Sequence, residues 1–116
     1  MAAATYNGVI DQGADWYINF TYEDSTGTPI NLTGYTAALQ LRSLPADSAT
    51  ALSLTTASGI TITGATGLIA VHATAAETSA VDTGRYYYDL EVTAPSTGVK
   101  IRIIQGQFTV SAEVTR

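Results

Sequence analysis

The chain reads as an all-β protein, an immunoglobulin-like β-sandwich of about eight short antiparallel strands with one short helix near residues 75–81. Three observations predict it. Apolar and polar residues alternate with period two in several short runs. Turn residues separate these runs at intervals of about eight to twelve positions, the spacing of a sandwich. The segment "DTGRYYYDLEVT" carries Asp82-x-Gly84-x-Tyr86-x-Tyr88, close to the tyrosine-corner signature, with Tyr88 where an antibody domain has its second cysteine.

The elements follow in order. "MAAATYN" is small and apolar, and residues 1–7 are expected to form a flexible arm ahead of a single domain spanning 8–116. In "DWYINFTY", Trp16, Ile18, Phe20 and Tyr22 alternate with Tyr17, Asn19 and Thr21, which predicts a strand with one buried face. "EDSTGTP" supplies a turn. "INLTGY" leads into a strand with Ala37, Leu39 and Leu41 on one side. "SLPADSAT" is a loop, and "ALSLTT" a short strand. "SGITITGATGLIAVHAT" predicts a hairpin turning at Gly64–Gly67. Thr74 followed by Glu77 has capping-box spacing, so a helix of about two turns should begin there. "GRYYYDLEVT" points Tyr86, Tyr88, Leu90 and Val92 inward. "VKIRIIQGQFTV" returns with Val99, Ile101 and Ile103 inward, a bulge at Gly106, then Phe108 and Val110.

Composition narrows the function classes. The chain has 116 residues, 46% of them hydrophobic and only 13% charged, which suits one folded core rather than a disordered tail. No run approaches the roughly 20 apolar residues of a membrane-spanning helix, and "MAAAT" lacks the features of a secretory signal. There is no cysteine, so neither a disulfide framework nor a thiolate metal site is expected. Net charge is −5, and the five basic residues (Arg42, Arg85, Lys100, Arg102, Arg116) are scattered in sequence. A groove tracking phosphates is not expected from them, nor is nucleic acid as a partner.

Chemical motifs are sparse. Asp82-Thr83-Gly84 matches the aspartic-protease triplet, but in such enzymes it leaves a hydrophobic strand, whereas here it follows a polar helical segment. The corner accounts for more residues: Asp82 and Gly84 make the turn, and Tyr86 returns its hydroxyl to upstream backbone. His72, the only histidine, has no partner histidine for a metal site or a catalytic triad. Glu23 and Asp24, even joined by Asp11 and Asp15, fall short of the six to eight oxygens of a typical calcium site, and turn formation explains them better. No catalytic, metal or cofactor residue is assigned. Tyr6, Tyr17, Tyr35 and Tyr87 are the candidate interface residues, since tyrosine often anchors protein contacts. A shallow sugar-binding strip on the same tyrosines is the alternative of another class.

"VIDQGADWYINFTYEDSTGTPINLTGYTAALQLR", "GITITGATGLIAVHATAAETSAVDTGRYYYDLEVT" and "GQFTVSAEVTR" together resemble small proteins encoded among tailed-bacteriophage virion genes. They are also similar to the N-terminal module of baseplate upper proteins of the BppU type. The resemblance covers Gly8 to Arg116 and rests on structural motifs: "DQGADW", "INLTGYTA", "GRYYYDLEVT" and the final "VTR". It implies a non-enzymatic virion part assembled in the host cytoplasm, placed as a tail, baseplate or fibre-attachment adaptor, with capsid decoration as the alternative. It further implies partners among other virion proteins, a symmetric homo-oligomer and no cofactor. The longer baseplate proteins continue beyond the matching region, so no receptor-binding part is expected here.

Overall fold

The computed structural model describes residues 4–46 and 49–114. In chain order the strands are β1 (Ala4–Thr5), β2 (Gly8–Asp11), β3 (Trp16–Thr21), β4 (Thr36–Arg42), β5 (Leu52–Thr55), β6 (Ile60–Thr63), β7 (Leu68–Ala73), β8 (Gly84–Thr93) and β9 (Lys100–Ser111). A helix, α1 (Ala75–Ser79), joins β7 to β8. One sheet runs β1-β9-β8-β4-β5, with β2 also paired to β9, and the other runs β3-β7-β6.

The alternating residues form the core. Leu39, Leu41, Leu54, Leu90, Val92 and Phe108 from the larger sheet meet Trp16, Ile60, Ile69 and Val71 from the smaller one. Trp16 stands edge-on to Phe108 with ring centroids 5.0 Å apart, a favoured aromatic geometry. The architecture is therefore a mostly β, sandwich-like fold of two sheets.

Three expectations need correction. The strands number nine among the described residues, and they are not all antiparallel: β1 and β2 both run parallel to β9, pairing Ala4 with Ile104 and Gly8 with Phe108. Residues 4–7 of the expected arm thus lie along a strand of the domain. Second, the register shift in β9 falls at Ile103, which lies between Arg102 opposite Glu91 and Ile104 opposite Leu90. Ile101 faces inward before it, and Ile104, Phe108 and Val110 after it, so the inward phase passes from odd to even numbers there. Val99 precedes the strand and is largely exposed. Third, α1 spans five residues rather than two turns.

Gly106 has a different task from making a bulge. It pairs with Tyr88, has φ +157°, and a Cβ there would collide with the Tyr6 carbonyl oxygen. Only a residue without a side chain allows the N-terminal segment to lie this close to β9.

The capping box at α1 is complete. Thr74 Oγ1 accepts from Glu77 N at 3.2 Å, and Glu77 Oε1 accepts from Thr74 N at 3.0 Å, which satisfies two otherwise unpaired donors. The fully buried Thr78 fastens the helix to the β2–β3 loop, its Oγ1 donating to Ala14 O at 2.8 Å and accepting from Gly13 N at 3.0 Å.

Candidate docking face

Strand alternation generates the site. In β8 the side chains of Tyr86, Tyr88, Leu90 and Val92 go to the core, which leaves Arg85, Tyr87, Asp89 and Glu91 on the outer face of the larger sheet. On either side, the registers place Arg42 opposite Tyr87, Gln40 opposite Asp89, Gln107 opposite Tyr87 and Arg102 opposite Glu91. Apart from Arg85, these residues line an open groove of about 610 Å³ that also reaches Thr5, Asn7 and Pro45.

The groove is polar and internally linked. Arg102 Nε lies 3.1 Å from Asp89 Oδ2, and its Nη1 donates to Gln105 Oε1 at 3.2 Å. Arg42 Nη2 donates to Gln40 Oε1 at 2.8 Å. Both partners of the Arg102–Asp89 pair are partly exposed, so the pair contributes about 0–1 kcal/mol to stability. Its larger effect is to hold a guanidinium in place on the surface.

This corrects the sequence reading of the basic residues. Arg42, Arg85, Lys100 and Arg102, scattered along the chain, all occupy the outward phase of β4, β8 and β9, three neighbouring strands. Only knowledge of which strands are neighbours reveals this. The outward phase of each strand was readable, but the pairing of β4 with β8 was not.

The four candidate interface tyrosines are not brought together. Tyr87 is 38% exposed in the groove, whereas Tyr17 is 67% exposed on the outer face of the smaller sheet. Tyr17 lies flat on His72, with ring centroids 4.3 Å apart and planes 6° from parallel. His72 Nε2 is 3.4 Å from Asp15 Oδ2, an ion-pair distance without hydrogen-bond geometry, and that nitrogen is itself covered. Tyr6 packs edge-on against Phe20 and Phe108. Tyr35 is half-buried against the core.

At the corner, Tyr86 Oη donates to Asp82 O at 2.6 Å. Burial raises the Tyr86 pKa, helped by the negative charge of Asp82. Tyr88 Oη donates to Tyr6 O at 2.8 Å, and Gln107 N donates to Asn7 Oδ1 at 2.9 Å. Burial also pushes the Tyr88 hydroxyl far above the ordinary phenol range, with a smaller contribution from Tyr6.

Two of the four carboxylates weighed as calcium ligands, Asp24 and Asp15, have structural partners. Asp24 Oδ1 accepts from Thr26 Oγ1 at 2.6 Å, Thr26 N at 2.9 Å and Thr28 N at 3.1 Å. The Thr26 hydroxyl bond is the main cause of its lowered pKa. Asp15 Oδ1 accepts from Ala75 N at 2.7 Å, at the start of α1. Among the described residues, no three His, Asp or Glu side chains come together as a metal site, and no helix is long and apolar enough to cross a membrane.

No family model matches the chain, and no curated protein matches it. Among solved structures it is similar to the N-terminal domain of phage TP901-1 ORF48, with a TM-score of 0.55 over 95% of this chain and 85% of that one. Sequence identity is 13%, so the likeness is one of fold. At that level the resemblance to the N-terminal module of BppU-type baseplate upper proteins holds.

Proposed function

We propose that this chain is a non-enzymatic structural component of a bacteriophage virion, a tail, baseplate or fibre-attachment adaptor that works by docking to other virion proteins. The observation that carries the reading is the fold likeness to the N-terminal domain of phage TP901-1 ORF48 over 95% of the chain. The surface agrees with it. The groove is open and polar and lies on a sheet face, which suits a protein surface better than a small substrate.

In the finer reading the sandwich is immunoglobulin-like, closed at the corner by Asp82, Gly84 and Tyr86, and the docking residue at the groove is Tyr87. The Tyr86–Asp82 bond supports this, and the parallel β1 and β2 are an addition to the usual pattern. A sugar-binding strip draws no support from the tyrosines, since Tyr17 and Tyr87 lie on opposite outer faces.

Gold-labelled antibody imaging of particles from the source virus tests the proposal. Label at the tail tip or neck is the expected result. Label spread over the head would make the chain a capsid decoration protein, and unlabelled particles would end the virion reading.

A further inference from the structure

The sheet edges of this chain are protected unequally. The outer edge of β9 is covered by β1 and β2. β5 and β6, four residues each, are linked by the Thr55–Gly59 bridge. β3 forms the other edge of the smaller sheet and pairs only with β7 among the described residues. It runs for six residues in unbroken register, from Trp16 opposite Ala73 to Thr21 opposite Leu68, without a proline, a charge or a bulge. Those are the devices by which an exposed edge normally resists strand pairing. Tyr22 N donates to Gly67 O on the β7 side, and His72 N donates to Gly59 O on the β6 side. Alternation along the strands therefore turns the N–H and C=O groups of Tyr17, Asn19 and Thr21 away from β7, and all three residues are exposed.

We infer that the open edge of β3 is a docking site for an extended strand of another protein, one with basic residues at the strand's ends. The outward backbone groups fix the occupant's conformation, since an extended segment matches their spacing. Tyr17 is turned to meet it. Its ring lies flat on His72 on the β7 side, which leaves its other face over the edge. Ile18 and Phe20 are half-buried, and apolar residues at alternate positions of an added strand would cover them. Charge chooses between partners. Asp15 precedes the strand and Glu23 and Asp24 follow it, all exposed, while β3, β6 and β7 hold no Lys or Arg. Two copies paired through this edge, in either direction, would bring carboxylates together at both ends, which is repulsive. Basic ends reverse the sign.

This goes beyond the docking reading by adding a site on the opposite sheet from the groove, and it is read on the purified chain. Antibody labelling reads position on the particle, so either can fail without the other. The probe is a synthetic peptide of about seven residues, alternating valine and threonine with a lysine at each end. With about 1 mM of it present, amide hydrogen exchange at Tyr17, Asn19 and Thr21 should slow at least about tenfold. Ile18 and Phe20, whose amides already face β7, should change little. A peptide with glutamate at each end should protect the same amides at least about threefold less, and Glu23→Lys should invert that order. Asn19→Pro removes one outward donor and leaves the ladder to β7 intact. It should abolish the protection of Tyr17 and Thr21. If that variant fails to fold, Glu23→Lys, at an exposed position, still decides. A wild-type chain whose three amides exchange unchanged would overturn the inference, as would protection indifferent to the charge of the peptide. Protection that rises with protein concentration alone would assign the edge to a second copy and overturn it as well.

Discussion

Two neighbouring inward tyrosines on β8 tie down two different parts of the molecule. At the corner, Tyr86 bonds the carbonyl of Asp82, four residues away. At the N-terminal clasp, Tyr88 bonds the carbonyl of Tyr6, 82 residues away. Both hydroxyls reach backbone oxygen, and burial makes both reluctant to ionise. What differs is the cost of assembly. A local bond closes a short loop, whereas the clasp must first bring the two ends of the chain together. The corner should therefore survive changes that release the clasp.

Phe108→Ala should have the largest effect, because Phe108 is 1% exposed and its ring meets Trp16, Tyr6 and Tyr88. A loss of about 3–5 kcal/mol in urea denaturation is expected. Next is Gly106→Ala, whose new methyl group would displace the Tyr6 carbonyl; about 1–3 kcal/mol should be lost. That loss should shrink sharply in a chain lacking residues 1–7. If it does not, Gly106 serves β9 itself rather than the clasp.

Tyr86→Phe and Tyr88→Phe should each cost about 1 kcal/mol. A double-mutant cycle with deletion of residues 1–7 separates them: coupling for Tyr88, and none for Tyr86. Equal coupling would merge the two regions into one cooperative unit.

The pH dependence follows from the direction of the shifts. Both tyrosines have raised pKa values in the folded chain, so their stabilisation is present below the unfolded value near 10 and is lost as pH climbs beyond it. The melting temperature should fall above about pH 10, and less steeply in the Phe variants. The smallest effect belongs to Asp24→Ala at the fully exposed hairpin turn. Asp24 has a lowered pKa, so its contribution is present above the ordinary carboxylate range and fades as acid protonates it. The variant should show a slightly flatter acid limb of the melting curve.

The same contrast explains what was readable beforehand. The capping box at Thr74 and Glu77, the inward phase of β8 and the hairpin turn between β6 and β7 depend on residues close in sequence, and each was visible as a motif. The pairing of residues 4–11 with β9 was not, because "GVID" is short and its partner lies about a hundred residues later. Gly106 was noticed but misassigned. A glycine in a strand signals either a bulge or a close approach, and only the position of Tyr6 distinguishes them. The groove was missed because outward-facing side chains acquire neighbours only once strand order is known.

The parallel pairing of β2 with β9 has one more consequence, for mechanical force. Suppose the chain is pulled at Ala4 and Ser111, which lie at opposite ends of this paired ribbon. The tension then runs along the strands, across the hydrogen bonds between them. Those bonds must slide and break together, not open one after another like a zipper. Single-molecule stretching between these two positions should therefore meet a higher peak force than stretching across the antiparallel β4–β5 edge. A protein held in a particle by its two ends would resist load through the least local contact in its fold.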